Sequence, residues 1–416
     1  MTAYFANALF DGESIHQSVF FQLENGFITS IETNVEFDAL QKGTTHLDGL
    51  VSAGFIDTQV NGGGGVLFNH EQSVDALAEM AAGHAQFGTT SMLPTLITDS
   101  MQKMDSAANA VALAIAQDIS SIVGIHFEGP HISLPKKGIH SAQHVRSISD
   151  AELQTFTRKD IGKVLITIAP ENLPTDIISE LVQNGVIVSL GHSAASLETT
   201  MQAIDAGARG FTHLFNAMSG LTAREPGLIA AALNDVRVSS GLIADMHHVA
   251  PYNCLLAYKC IGPERLMLVT DAMAHVGSDI STLPWLESTI TRHDGKLTLD
   301  DGSLAGSCLD MASAVRNMYG CIADAKTAEV SIAEALTAET QITDTKTAQS
   351  KMNEATINEA KETALKNTLN MASKVPARFL GLNKIGTLRV GQQADFVLLD
   401  DQLSVEASWR KGLLLP

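Results

Sequence analysis

Two kinds of hydrophobic patterning divide the chain. Residues 1–50 alternate apolar and polar positions, with turn signals at Asp11-Gly12 and Asn25-Gly26. That two-residue period belongs to half-buried strands. Ser18-Val-Phe-Phe-Gln-Leu23, then Asn25-Gly26, then Phe27-Ile-Thr-Ser-Ile31 is a hairpin pattern. Gly386 to Asp400 reads the same way, as strands broken at Gly391. Two β-rich ends around a different middle predict a small β-sandwich domain built from both termini, residues 1–50 and 381–416.

The middle, residues 51–380, repeats a short apolar run followed by a longer helical stretch. Strand candidates are Val51–Asn61, Thr90–Ile97, Ile122–Gly129, Val164–Pro170, Val186–His192, Gly210–Phe215, Val238–Ala244 and Leu266–Asp271. Helical stretches such as Val74–Phe87 and Ser100–Ala116 lie between them. Eight strands joined by crossovers predict an α/β fold, a (β/α)8 TIM barrel, rather than an open sheet. Hairpin-like strands follow around Thr289–Leu299. Ser331–Lys374, rich in Ala, Glu, Lys and Thr and without aromatic residue, Gly or Pro, favours helix and reads as a solvated helical extension of that barrel, or as disorder in its middle.

Polar residues at the strand ends change the picture from fold to chemistry. Glu128 closes the run Ile122-Val-Gly-Ile-His-Phe-Glu-Gly-Pro130. A carboxylate there is costly to bury unless it is paired or binds a cation. The fifth candidate ends at His192, the sixth at His213 and the eighth at Asp271. Any one of them alone reads as a satisfied structural residue. In a closed barrel, however, these ends converge on one mouth. Two imidazoles and a carboxylate with an open position form a catalytic zinc-type ligand set, and a second carboxylate nearby suits general acid–base work. Gln59 and Asn61 share one face of the first strand, just before Gly62–Gly65. Amides are poor transition-metal ligands.

Composition narrows the class. The apolar fraction is 45% and the charged fraction 18%, as in a globular protein with a sizeable core. No apolar run approaches the roughly 18 residues of a membrane span, and Met1-Thr-Ala-Tyr-Phe5 carries no signal-peptide pattern. Four cysteines without CxxC spacing point to a reduced, cytoplasmic protein. A net charge of −19 argues against nucleic acid as a partner. It leaves room for a phosphorylated substrate, which a few local cations and N–H groups can hold.

Nine ordered segments together resemble the amidohydrolase superfamily and, within it, the N-acetylglucosamine-6-phosphate deacetylase family. They are Ser52-Ala-Gly-Phe-Ile-Asp-Thr-Gln-Val-Asn-Gly62, Leu93-Pro-Thr-Leu-Ile-Thr98, His126-Phe-Glu-Gly-Pro130, Lys136-Lys-Gly-Ile-His140, Gly191-His-Ser193, Thr212-His-Leu-Phe-Asn-Ala-Met218, Arg224-Glu-Pro-Gly227, Leu268-Val-Thr-Asp-Ala272 and Leu304-Ala-Gly-Ser307. The resemblance covers the chain apart from roughly residues 337–366. It implies hydrolysis of the acetamido group of a 2-acetamido sugar 6-phosphate, in amino-sugar metabolism. Gln59 and Asn61 replace the superfamily's first-strand His-x-His, which implies a lost second-metal position and one divalent ion per subunit. The ion the resemblance implies is zinc, with iron or another divalent ion as alternatives, held by Glu128, His192 and His213.

Asp271 is implied as the proton carrier, with His140 assisting at the oxyanion. Arg224 and His248 match phosphate-binding positions. Ile139, Asn216, Ala217, Leu304, Ala305 and Gly306 match further substrate contacts. A homodimer is implied as well, because phosphate contacts in this family cross the subunit interface. The galacto epimer of the substrate, or a non-catalytic barrel that serves binding, are the alternatives.

Overall fold

The computed structural model describes residues 2–37, 42–119, 121–338 and 346–416. The two chain ends meet in one seven-stranded sheet. Its order is Leu413–Leu414, Val405–Arg410, Phe396–Leu399, Thr45–Ala53, Thr2–Phe10, Ile15–Glu24 and Phe27–Glu32. All pairs are antiparallel except Thr2–Phe10 with Thr45–Ala53. The predicted hairpin turn is there: Asn25 and Gly26 take φ of 51° and 80°, the left-handed pair that matches strand twist.

Phe21 and Phe396 stand three strands apart in this order, yet their rings are 5.6 Å apart. A flat sheet would separate them by about 14 Å, so the sheet folds over on itself. Tyr4, Phe21, Phe396 and Trp409 fill the sandwich-like core that results.

The second unit is the barrel. Its strands are Phe55–Val60, Thr89–Ile97, Gly124–Glu128, Lys163–Ile168, Ile187–Leu190, Gly210–Phe211, Ser239–Ile243 and Leu266–Val269, hydrogen-bonded in that order. Every pair with a register is parallel. The strands are buried almost throughout, as expected of strands covered by helices on one side and packed inward on the other. Serines 73, 100 and 196 cap the helices Val74–Ala85, Met101–Ala116 and Leu197–Asp205 with their side chains. The seam between the eighth strand and the first is closed just past the strand ends. Asp271 N donates to Gln59 O at 3.0 Å, and Asn61 N donates to Ala272 O at 2.9 Å.

Three elements differ from the sequence expectation. Val51–Ala53 is not part of the first barrel strand; it pairs with Phe396–Leu398 in the terminal sheet. The chain changes sheets at Gly54, where a Cβ would run into the Thr90 side chain. Gly386 to Val390 forms turns rather than a strand, with Gly386 and Gly391 both at positive φ. The sixth barrel strand is only Gly210–Phe211. Helices Met311–Ala338 and Lys346–Ala372 cover most of the predicted extension, and residues 339–345 of it lie outside the described residues.

Candidate active site

Glu128 is the last residue of the third barrel strand, while His192, His213 and Asp271 each sit two residues past the end of theirs. At all three of the latter the chain turns sharply into its loop: φ is 47° at His192, 33° at His213 and 53° at Asp271. Left-handed backbone at non-glycine residues costs about 1–3 kcal/mol each and persists only where surrounding structure enforces it. These turns swing the three side chains inward over the mouth.

Three ligand-type atoms meet there. His213 Nε2 lies 2.9 Å from Glu128 Oε1, His192 Nε2 lies 3.3 Å from the same oxygen, and the two imidazole nitrogens are 3.0 Å apart. His140 closes another side, its ring 4.3 Å from that of His192. Glu128, His140 and His192 also each offer one ligand atom within 4.8 Å of the others. All four side chains are buried.

Main-chain and hydroxyl groups aim the rings. His192 Nδ1 is 2.7 Å from the Lys136 carbonyl, an acceptor, so Nδ1 carries the proton and Nε2 faces Glu128. The Thr98 hydroxyl lies 2.7 Å from His140 Nδ1 and 3.3 Å from the Glu128 carbonyl; donating to the nearer ring nitrogen, it leaves the imidazole proton on Nε2, which faces the cavity. Burial alone would raise the Glu128 carboxyl. The His192 and His213 contacts overcome that and hold it well below the usual carboxylate range.

Asp271 is held by amides. Its Oδ1 accepts from Asn61 Nδ2 at 2.7 Å and from Gln59 Nε2 at 3.1 Å, and Gln59 Nε2 also reaches Glu128 Oε1 at 3.0 Å. Burial first, and the Glu128 charge second, push Asp271 up to about 6. A carboxylate with a pKa near neutrality can take and return a proton.

A cavity of about 190 Å³ opens over this cluster. Of the residues expected from the sequence, it is lined by Asn61, Glu128, Ile139, His140, His192, His213, Asn216, Ala217, His248, Asp271, Leu304 and Gly306. Gln59 supports it from below through its two carboxylate contacts. Ala305 is buried behind it, and Arg224 is exposed on the loop before helix Gly227–Asn234, outside the lining. His248 is fixed by Asp245, whose Oδ2 lies 2.6 Å from His248 Nδ1. Ile97, Gly138 and Ile243 also line the cavity without having been expected. Ile97 and Gly138 lie within the segments that carry the family resemblance, whereas Ile243 has only its nearness to a strand end.

A parallel eight-stranded barrel whose mouth gathers imidazoles and carboxylates around a cavity defines a hydrolase of the metal-dependent barrel class. The model of the Amidohydrolase family matches residues 50–413, and the chain belongs to that family.

Among its relatives is an N-acetylgalactosamine-6-phosphate deacetylase of Shewanella sp. (strain ANA-3), 42% identical over 95% of this chain and 91% of that one. Another, of the same description, from Escherichia coli O157:H7, is 33% identical over 88% of this chain and 87% of its own. The crystal structure of N-acetylglucosamine-6-phosphate deacetylase from Pasteurella multocida superposes with a TM-score of 0.84 at 30% identity, covering 99% of each chain. Among the described residues, no helix is long and apolar enough to cross a membrane.

Proposed function

We propose that this chain removes the acetyl group from an N-acetylated amino-sugar 6-phosphate, N-acetyl-D-glucosamine 6-phosphate, to give the free amine and acetate. The observation that carries the reading is the convergence of Glu128, His192, His213 and Asp271 at one mouth. It occurs in a chain similar over nearly its whole length to deacetylases of such substrates. A second reading, the galacto epimer, is favoured by a specific observation: the 42% and 33% identical relatives above both carry that name.

The donor set fits a divalent metal. With His192 Nδ1 committed to the Lys136 carbonyl, its Nε2 faces another imidazole nitrogen and a carboxylate oxygen at 3.0 and 3.3 Å. Tetrahedral ligands about 2.0–2.1 Å from zinc stand roughly 3.3–3.4 Å apart. We therefore assign Glu128, His192 and His213 as ligands, with zinc as the expected ion and iron as an alternative. The metal when bound supplies Lewis-acid polarisation of the amide carbonyl and of water.

The remaining work falls to the chain. Asn61 and Gln59 occupy Asp271 Oδ1, which leaves Oδ2 to take the proton of the attacking water and pass it to the departing nitrogen. His140 Nε2 supports the carbonyl oxygen as negative charge develops there. His248 and Arg224 hold the phosphate, with Arg224 reaching a second copy's site in a homodimer, which accounts for its position outside this cavity. Asn216, the Ala217 main chain, Ile139 and Leu304–Gly306 contact the sugar.

The test is acetate release from both epimers by metal-replete, purified protein, with kcat/KM compared between them. Release from one or both is expected, and no release from either overturns the reading.

A further inference from the structure

The strands Thr282–Trp285, Ser288–His293 and Lys296–Thr298 form a small antiparallel insert after the eighth barrel strand. Their buried residues Leu283, Trp285, Ile290 and Leu297 share one cluster with Leu67, Ile97, Met273, Ala274 and Ala305 from the barrel mouth, and Ile139 packs against it. Trp285 is buried at 5% exposure, and its indole Nε1 donates to the Ile139 carbonyl at 3.0 Å. The His70 ring stacks beside it, 5.8 Å between centroids. A buried indole N–H needs an acceptor. Here the acceptor is the peptide group that joins Ile139 to His140.

The loop from Ser133 to His140 is fastened at both ends. Ser133 N donates to His192 O at 2.8 Å, and Lys136 O takes His192 Nδ1. At the far end His140 is tied by Thr98 through its ring and by Trp285 through the preceding carbonyl. A peptide plane fixed on one side and a ring nitrogen fixed on the other determine where His140 Nε2 points.

We propose that Trp285 is a positioning residue for the hydrolysis. By holding the Ile139 carbonyl, it sets the Ile139–His140 peptide and so the reach of His140 into the cavity. This rests on the deacetylase reading above and adds a residue from outside the barrel. Trp285→Phe keeps most of the apolar volume but leaves the Ile139 carbonyl without its donor.

The expected result is a fall in kcat of about ten-fold, because His140 acts on the transition state, with a smaller rise in KM through Ile139, which contacts the sugar. In a His140→Ala background the same substitution should change kcat little, since the two act through one group. Independently of turnover, trypsin should cut the variant faster at Lys136 or Lys137 as the loop loosens.

Site-specific replacement of Trp285 by benzothienylalanine, which keeps the ring shape without the N–H, serves if the Phe variant fails to fold and should reproduce the loss. Wild-type kcat and proteolysis in these variants, or an equal loss in both backgrounds, overturns the proposal. If wild-type protein releases no acetate, the function reading fails instead, while the proteolysis comparison still reports on the loop.

Discussion

His126 and Glu128 stand two residues apart on one strand, on the same inward face and with the same burial, yet they belong to different chemistries. His126 has both ring nitrogens against hydroxyls, Thr95 Oγ1 at 3.2 Å and Thr167 Oγ1 at 2.8 Å. Thr167 continues to Thr212 at 2.6 Å, and Thr212 to Ser189 at 2.7 Å. Burial pushes His126 down to about 4, so it is neutral near pH 7. This layer, closed by its own hydroxyls, ties the second to fifth strands and the end of the sixth together. One layer higher, Glu128 meets two imidazoles and an amide beneath an open cavity. Burial and residue type do not separate structure from site here. Whether the polar atoms are already satisfied by one another does.

That comparison can be broken in three ways, of decreasing size. Asp271→Asn keeps the cluster's shape but removes its proton carrier, and kcat should fall by about 10²–10⁴ while bound metal stays near wild type. A steady-state assay with metal analysis checks both. His126→Ala, in the layer below, should instead destabilise. It takes one partner from each of the Thr95 and Thr167 hydroxyls and opens a void between them, an effect on the order of 2–4 kcal/mol visible as a lower Tm. The kcat of the folded fraction should stay within a few-fold of wild type.

The smallest effect concerns Asp57, which burial pushes up to about 7 against hydrogen bonds from Thr270 and the Gln59 N–H. An acid whose folded pKa is raised holds its proton only in the folded state between about pH 4 and 7, so stability falls as pH rises across that window. Asp57→Asn should remove this slope. Wild type should lose more Tm than the variant between pH 5 and pH 8.

Much of this was legible in the sequence because short parallel strands end abruptly. Glu128 before Gly129-Pro130, His192 after a glycine, and Asp271 after Leu268-Val-Thr270 are punctuated locally, and a closed barrel brings such ends together without further information. The left-handed turns at His192, His213 and Asp271 carry no such signal, since none is glycine. Continuous apolar patterning across Gly54 hid the passage from one sheet to the other. The contacts that aim the site were also out of reach. Lys136 acts through a carbonyl, and Thr98 and Trp285 through partners 42 and 146 residues away. Main-chain acceptors and distant pairs have no spacing to read.

We propose that Glu128 serves the site and His126 the scaffold because a metal would share Glu128 with His192 and His213. Metal content and acetate release measured on the same preparations of wild type and Glu128→Gln test it directly. Wild type should carry about one divalent ion per chain and release acetate, while the variant, folded, should lose both together. A folded Glu128→Gln that keeps wild-type metal content and turnover would contradict it.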